Sequence, residues 1–283
     1  MKTKRLLLLV TILLALRLSA VEIIFKAVAP EIVRQRLGQF AGKNTQREQT
    51  LKKIFSEAGC DSEHLSEQKV KHEEAPNLIC LWPGESDDTI IVGAHFDRVA
   101  RGAGVVDNWS GASLLPSLLE ALRAQSRHHT LIFIAFTGEE DGMVGSEFYV
   151  KSMGTDQRSR VQAMVNMDTL GLGPTEVWAS HADPKLTTAI ATVARAMSLP
   201  VSGMNVEQVG STDSESFRKV KIPAITIHTL TTKTLPILHS ADDQLKQIKF
   251  PDYYETYKLM AAYLAYLDGF LPVAAKPGPA GTK

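Results

Sequence analysis

Residues 131–142 read LIFIAFTGEEDG: six apolar residues in a row, a Thr-Gly step, and then two adjacent carboxylates, Glu139 and Glu140. An apolar run of this length closed by glycine has the pattern of a strand buried on both faces. Such strands belong to parallel sheets covered by helices. The same shape recurs in TIIVGAHFD (89–97), VQAMVNMD (161–168) and IPAITIHT (222–229), each ending in polar residues. Two carboxylates at the end of an apolar strand would be costly without a cation beside them, so the strand ends are where chemistry is expected.

Outward from these runs the pattern changes to helical periodicity. TQREQTLKKIFSEAGC (45–60) places Leu51, Ile54 and Phe55 on one face, with Thr45 as a cap and Gly59 as a stop. SGASLLPSLLEALRAQ (110–125) reads as a helix from about Gly111 to Ala124, with Pro116 as a kink. PKLTTAIATVARAMSL (184–199) and PDYYETYKLMAAYLAYLDGF (251–270) are amphipathic. NLICLW (77–82) supplies another strand, and the turn-rich PGESDD after it suits a hairpin with TIIVGAHFD. Alternation of strands and helices predicts an α/β fold, a single-domain three-layer sandwich over residues 21–272 with a mostly parallel, mixed central sheet and helices on both faces. No repeat or internal linker divides it.

The chain has 283 residues, 44% of them apolar, with 31 basic and 31 acidic side chains. That balance gives no electrostatic reason to expect a nucleic-acid partner. At the amino terminus, Lys2, Lys4 and Arg5 precede an apolar stretch from Leu6 to Leu16, with Ser19 and Ala20 after it. A membrane helix needs about 20 apolar residues, and Arg17 interrupts sooner. Residues 1–20 are therefore read as a signal peptide, with an uncleaved anchor as the alternative, which implies a secreted or periplasmic protein with no stable membrane partner unless the segment is retained. Export permits disulfides, and Cys60 and Cys80 are the two cysteines available for one. The Pro- and Gly-containing tail, residues 273–283, is expected to be disordered.

His95 and Asp97 lie two apart at one strand end; Asp107 precedes a helix, where capping by Asp107 or Ser110 is the ordinary role; Glu139 and Glu140 end the second strand; Asp168 ends the third. Singly, each is explained by solvation or capping. In a parallel sheet, however, these ends meet at one edge, and a histidine with several carboxylates and no thiolate suits zinc or another divalent ion. One ion could hardly use them all, so a carboxylate-bridged pair is the natural arrangement. His64, His72, His128, His129 and His181 lie in polar contexts and are read as surface residues. Spacing does not choose between His228 and His239.

The ordered set GAHFD, VDNWSG, FTGEEDGMVGSEFYV, NMDTLG, STDSESF and LHSADD resembles the M28 family of zinc metallopeptidases, which includes secreted bacterial aminopeptidases and the related glutaminyl cyclases. The resemblance implies two zinc ions per chain: His95 and Asp168 on one, Glu140 and His239 on the other, and Asp107 bridging both. It further implies Glu139 as general base, Asp97 orienting His95, and a cis peptide between Asp107 and Asn108. Leu238 stands where family peptidases often carry Tyr and cyclases Trp. Asp213 matches a recurring acidic position but reads equally as a turn or cap residue and is left outside the catalytic set. The implied activity is that of a secreted zinc aminopeptidase acting on peptide or protein amino termini. The alternatives are a glutaminyl-peptide cyclotransferase and a catalytically inactive binding module.

Overall fold

The computed structural model describes residues 23–273. The segment read as a signal or anchor, and all of the expected tail but Val273, lie outside the described residues. The elements run α1 (Pro30–Leu37), α2 (Asn44–Glu57), β1 (Leu65–Gln68), β2 (Asn77–Trp82), β3 (Thr89–His95), α3 (Ser110–Ala112), α4 (Leu114–Leu122), β4 (Thr130–Phe136), α5 (Val144–Ser152) and α6 (Thr155–Arg160). After them come β5 (Val161–Met167), β6 (Thr175–Val177), α7 (Pro184–Met197), β7 (Val201–Gly203), α8 (Ser214–Arg218), β8 (Ala224–His228) and α9 (Phe250–Phe270).

The strands make one sheet in the order β1-β2-β4-β3-β5-β8-β6-β7. Its centre, β4-β3-β5-β8, is parallel throughout, and antiparallel pairs lie toward the edges. Side chains alternate between two cores, as the period of a strand requires. Ile90, Val92, Leu131, Phe133 and Val165 face α1, α2, α4, α7 and α9, whereas Ile91, Ile134, Phe136 and Met164 face α5 and α8. This is the expected three-layer sandwich. On α9, Tyr253, Tyr257, Met260, Leu264 and Leu267 recur at helical spacing and are all buried. Each large apolar side chain so placed contributes about 1.5–3 kcal/mol. Among the described residues no helix is long and apolar enough to cross a membrane.

Four expectations need correction. The hairpin does not form: β4 lies between β2 and β3. The PGESDD connection instead crosses the start of β4, where Glu85 and Ser86 donate to the carbonyls of Arg127 and His128 and Thr130 donates to Asp88. Gly84 allows the crossing, because a Cβ there would lie 2.3 Å from the His129 backbone. Thr45 is not the cap of α2, which starts one residue earlier, after Lys43, with no side-chain cap. The helical break after Gly111 falls at Ser113 rather than at Pro116, which occupies the first turn of α4, where an N–H is not needed. His129 is fully buried rather than at the surface.

His129 joins the start of β4 to the end of α9. The Asp268 carboxylate accepts from the backbone N–H groups of His128 and His129, and the His129 ring contacts Asp268 and the Pro272 carbonyl. Arg127, beside it, donates to the Ile24 carbonyl. Burial opposes the charge on His129, but Asp268 and the Pro272 carbonyl raise its pKa above 6.5. Against the same opposition from burial, hydrogen bonds from His129 and His128 lower that of Asp268 below 3.8. The charged histidine therefore adds stability that is complete below about pH 6.5 and fades as pH rises through its folded pKa. The Asp268 share is present above about pH 4 and fades as pH falls. His129→Ala should consequently cost more stability at pH 5.5 than at pH 9 in urea unfolding; a cost that is the same at both values would exclude the charge from the interaction.

Cys60, just past α2, and Cys80 in β2 form a disulfide with Cα atoms 6.3 Å apart, and both are buried. A loop of 20 residues closed this way contributes about 3 kcal/mol in the chain-entropy view. The folded, unreduced protein should show no alkylatable thiol, and reduction should lower stability by about that amount.

Candidate metal centre

The polar residues arrive at one edge because the parallel strands end there, the place where open α/β sheets bind ligands. His95 is the last residue of β3, and Asp168 follows β5. Gly138, at φ +66°, turns the chain after β4 so that Glu139 and Glu140 stay at that edge, and the Glu73 carboxyl fills the space its side chain leaves. Asp107 lies in a single wide turn, Val105–Trp109, and the Asp107–Asn108 peptide is cis. Asp107 is not a helix cap. Asn108 takes that part, its Oδ1 accepting from Gly111, while Ser110 Oγ donates to the Val106 carbonyl. His239 comes from the long connection between β8 and α9.

The seven residues expected at the site are brought together. Asp107 Oδ1 lies 3.3 Å from His95 Nε2, and Asp107 Oδ2 lies 3.2 Å from His239 Nε2. Asp168 Oδ1 is 3.6 Å from His95 Nε2, and Glu140 Oε2 is 2.9 Å from His239 Nε2. These pairs define two triads through the shared Asp107, His95–Asp107–Asp168 and His239–Asp107–Glu140, while the ligand atoms that all lie within 4.8 Å of one another are those of His95, Asp107 and Glu140 and those of His95, Glu139 and Asp168. Glu139 Oε2 stands beside the first, 3.9 Å from His95 Nε2. The glutamate pair sits in a turn, with the Glu139 carbonyl accepting from Gly142 and Met143, rather than in an extended segment. The turn still sends the two side chains to different triads.

Both ring nitrogens of His95, Oε1 of Glu140 and Oδ1 of Asp168 are buried without a hydrogen-bond partner among the described residues. Native interiors rarely leave such groups unmet, because each costs about 1–3 kcal/mol or more when charged. Imidazoles and carboxylates are the donors zinc takes, so the residues fit a divalent pair. The electrostatics agree. Burial, with Asp107 adding, pushes Glu140 up to about 7, and burial raises Glu139 well above the usual carboxylate range. The hydrogen bond to Asp107 raises His239 to about 9. Burial opposes ionisation of Asp107, but His239 and His95 hold its pKa below the ordinary value. Too many negative charges share this pocket for them all to ionise unaided, and cations would relieve that.

Asp97 does more than sit behind His95, whose Nδ1 is 3.5 Å away. Its two oxygens accept from the backbone N–H groups of Glu139 and Glu140, both at 3.1 Å, so it aims the glutamate pair as well. Thr212 donates to Asp168 Oδ2 at 2.7 Å. His228 is not at the centre: its Nε2 meets the Met204 carbonyl, its Nδ1 accepts from Leu230, and burial keeps its pKa low. Of the remaining surface histidines, His64 is tilted against Trp82 and His181 stacks on Trp178.

Behind the centre lie Asp213, which the sequence left outside the catalytic set, and two residues that went unrecognised there, Asp243 and Arg47. Asp213 stands at the start of α8 without a side-chain cap bond, lies fully buried, and is pushed to about 7 by burial, against the opposing pull of His95 and Ser146 and with Asp97 and Asp168 adding. Asp243 accepts from the amides of Val106 and Asp107. Arg47, fully buried on α2, donates to the carbonyls of Ala41, Phe96, Ala103 and Gly104 and so staples the segment that carries Asp97 and Asp107. Only Asp213 and Asp243 had a visible signal, lying in STDSESF and LHSADD.

Beside the two triads opens a cleft of about 260 Å³ whose apolar wall includes Trp178, Val206, Leu230 and Leu238.

The chain is 26% identical over 237 residues to a probable leucine aminopeptidase of Trichophyton verrucosum, covering 77% of this chain and 64% of that protein. It spans less than two thirds of the length of the curated relatives it matches. In fold it is similar to the LapA aminopeptidase of Legionella pneumophila, with TM-score 0.75 at 20% identity, covering 86% of this chain and 72% of that one. It is also similar to a glutaminyl cyclase of an Acidobacteriales bacterium, with TM-score 0.69 at 17% identity, covering 84% and 93%. The sequence model of peptidase family M28 matches residues 77–264, which hold all seven residues of the centre. With that match over most of its length, the chain belongs to peptidase family M28.

Proposed function

We propose that the protein is a zinc aminopeptidase that holds two metal ions, one by His95, Asp107 and Asp168 and the other by His239, Asp107 and Glu140. The observation that carries this reading is the placement of the two Asp107 oxygens, each beside a different imidazole. Zinc bound there would supply a Lewis acid for the scissile carbonyl and acidify the attacking water. Glu139 Oε2 takes the proton from that water and returns it to the leaving amine. Asp97 fixes the backbone of both glutamates, so the base and the adjacent ligand keep their relative aim.

The apolar wall formed by Trp178, Val206, Leu230 and Leu238 fits an aliphatic or aromatic side chain on the residue being released, and among the described residues no lysine or arginine lines the cleft to favour an acidic one. The Trichophyton relative named as a leucine aminopeptidase supports the same preference. The buried Cys60–Cys80 disulfide and the amino-terminal pattern support export to an oxidising compartment.

The test is a panel of aminoacyl amides beside a peptide beginning with glutamine, run on protein of measured zinc content. Release of leucine or phenylalanine is expected. Conversion of the glutamine to pyroglutamate without amide hydrolysis would replace the reading with the cyclotransferase. Retention of no divalent metal would replace it with a binding module.

A further inference from the structure

The two triads are held unequally. His95 ends a central strand and is 1% exposed, whereas the His239 side chain is 55% exposed and its backbone lies in an irregular connection. Asp107, which both triads share, is braced from the far side by Asn108, whose Nδ2 donates to the Met167 carbonyl and whose Oδ1 accepts from Gly111 and Thr169. Arg47 holds the carbonyls of Ala103 and Gly104 just ahead of it. His239 has no such frame. Beyond local turns, and apart from its own ring contacts with Asp107 and Glu140, the hydrogen bonds that tie residues 238–244 to the rest of the described chain come from Asp243. That carboxylate accepts from Val106 N–H at 2.7 Å and Asp107 N–H at 3.3 Å, and the Asp243 carbonyl accepts from Ala103 N–H at 2.8 Å. Asp243 is 2% exposed, so these bonds are shielded from water.

We propose that Asp243 is the positioning residue that ties the exposed His239 to the bridging Asp107, setting the affinity of the metal position formed by His239, Asp107 and Glu140 but not that of the position formed by His95 and Asp168. The inference rests on the two-metal reading given above. Asp243→Asn keeps the shape of the side chain: its oxygen can still accept from Val106, while its NH₂ would face the Asp107 N–H, donor against donor. The connection bearing His239 then loses one of its anchors, whereas Asn108 and Arg47 still hold Asp107.

The experiment titrates zinc into metal-stripped, full-length wild type, Asp243→Asn, Asp243→Ala and His239→Ala, with the melting midpoint of each metal-free protein measured alongside. His239→Ala identifies which bound zinc depends on that ligand. In Asp243→Asn that zinc should bind about 10–100-fold more weakly, the usual cost of losing a residue that orients a ligand, with the other zinc unchanged and turnover restored by excess zinc. Asp243→Ala, if it folds, should show the larger loss. Equal weakening of both zincs, or a lowered metal-free midpoint with zinc affinity intact, would overturn the proposal, since either means that Asp243 only supports the fold. Binding of a single zinc by wild type would end the two-metal reading. The proposal would then stand if that zinc weakens in both His239→Ala and Asp243→Asn, and fall if either leaves it unchanged.

Discussion

Glu139→Gln is expected to keep its zinc and lose about 10²–10⁴-fold in turnover, the usual contribution of a positioned proton shuttle. The amide has nearly the shape of the carboxylate and would sit in the same turn, because Asp97 grips the backbone N–H of residue 139 rather than its side chain. What it cannot do is accept the proton. Glu139 Oε2 lies 3.9 Å from His95 Nε2 and close to Asp168, but His95, Asp107 and Asp168 remain as ligands when the carboxylate becomes an amide, so metal content should barely change. Metal analysis and steady-state kinetics on one preparation decide the matter: a variant that loses zinc in proportion to its activity would make Glu139 a ligand rather than a base.

The second large effect is expected from the other triad. Glu140→Gln and His239→Ala should each release the zinc they share, by more than the 10–100-fold that loss of a merely orienting residue costs, with turnover falling alongside and partly recovering in excess zinc. His228→Ala should leave zinc untouched. Its two nitrogens are occupied by Met204 and Leu230, and its removal costs packing and those hydrogen bonds, which thermal melting would register. Loss of zinc in His228→Ala together with full loading in His239→Ala would reverse the assignment of the late histidine.

The four central strands were legible because each is a short, mostly apolar run that ends in polar residues, and composition reports that directly. Their partners were not. A six-residue connection after β2 fits a hairpin as well as a crossing, and Gly84, which lets the chain pass against His129, reads in the sequence as one more turn glycine. Separate roles for Glu139 and Glu140 were legible only through the family resemblance; in the structure the two carboxylates part because Gly138 turns the backbone and Asp97 holds it turned. His129 was misplaced because a histidine pair flanked by polar residues resembles a solvated end, and only the return of α9 brings Asp268 over it. Arg47 carried no signal at all. Its partners are backbone carbonyls far along the chain, and no residue pattern marks a carbonyl.

Arg127 holds the Ile24 carbonyl and His129 meets that of Pro272, so both ends of the described chain gather where β4 begins. The metal centre lies past the other end of β4, whose seven residues cover about 20 Å. An attachment made at either end therefore stands behind the enzyme, a strand length from the cleft. A resin, a fusion partner or a lipid surface joined there would be held at the end of β4 opposite the metal centre.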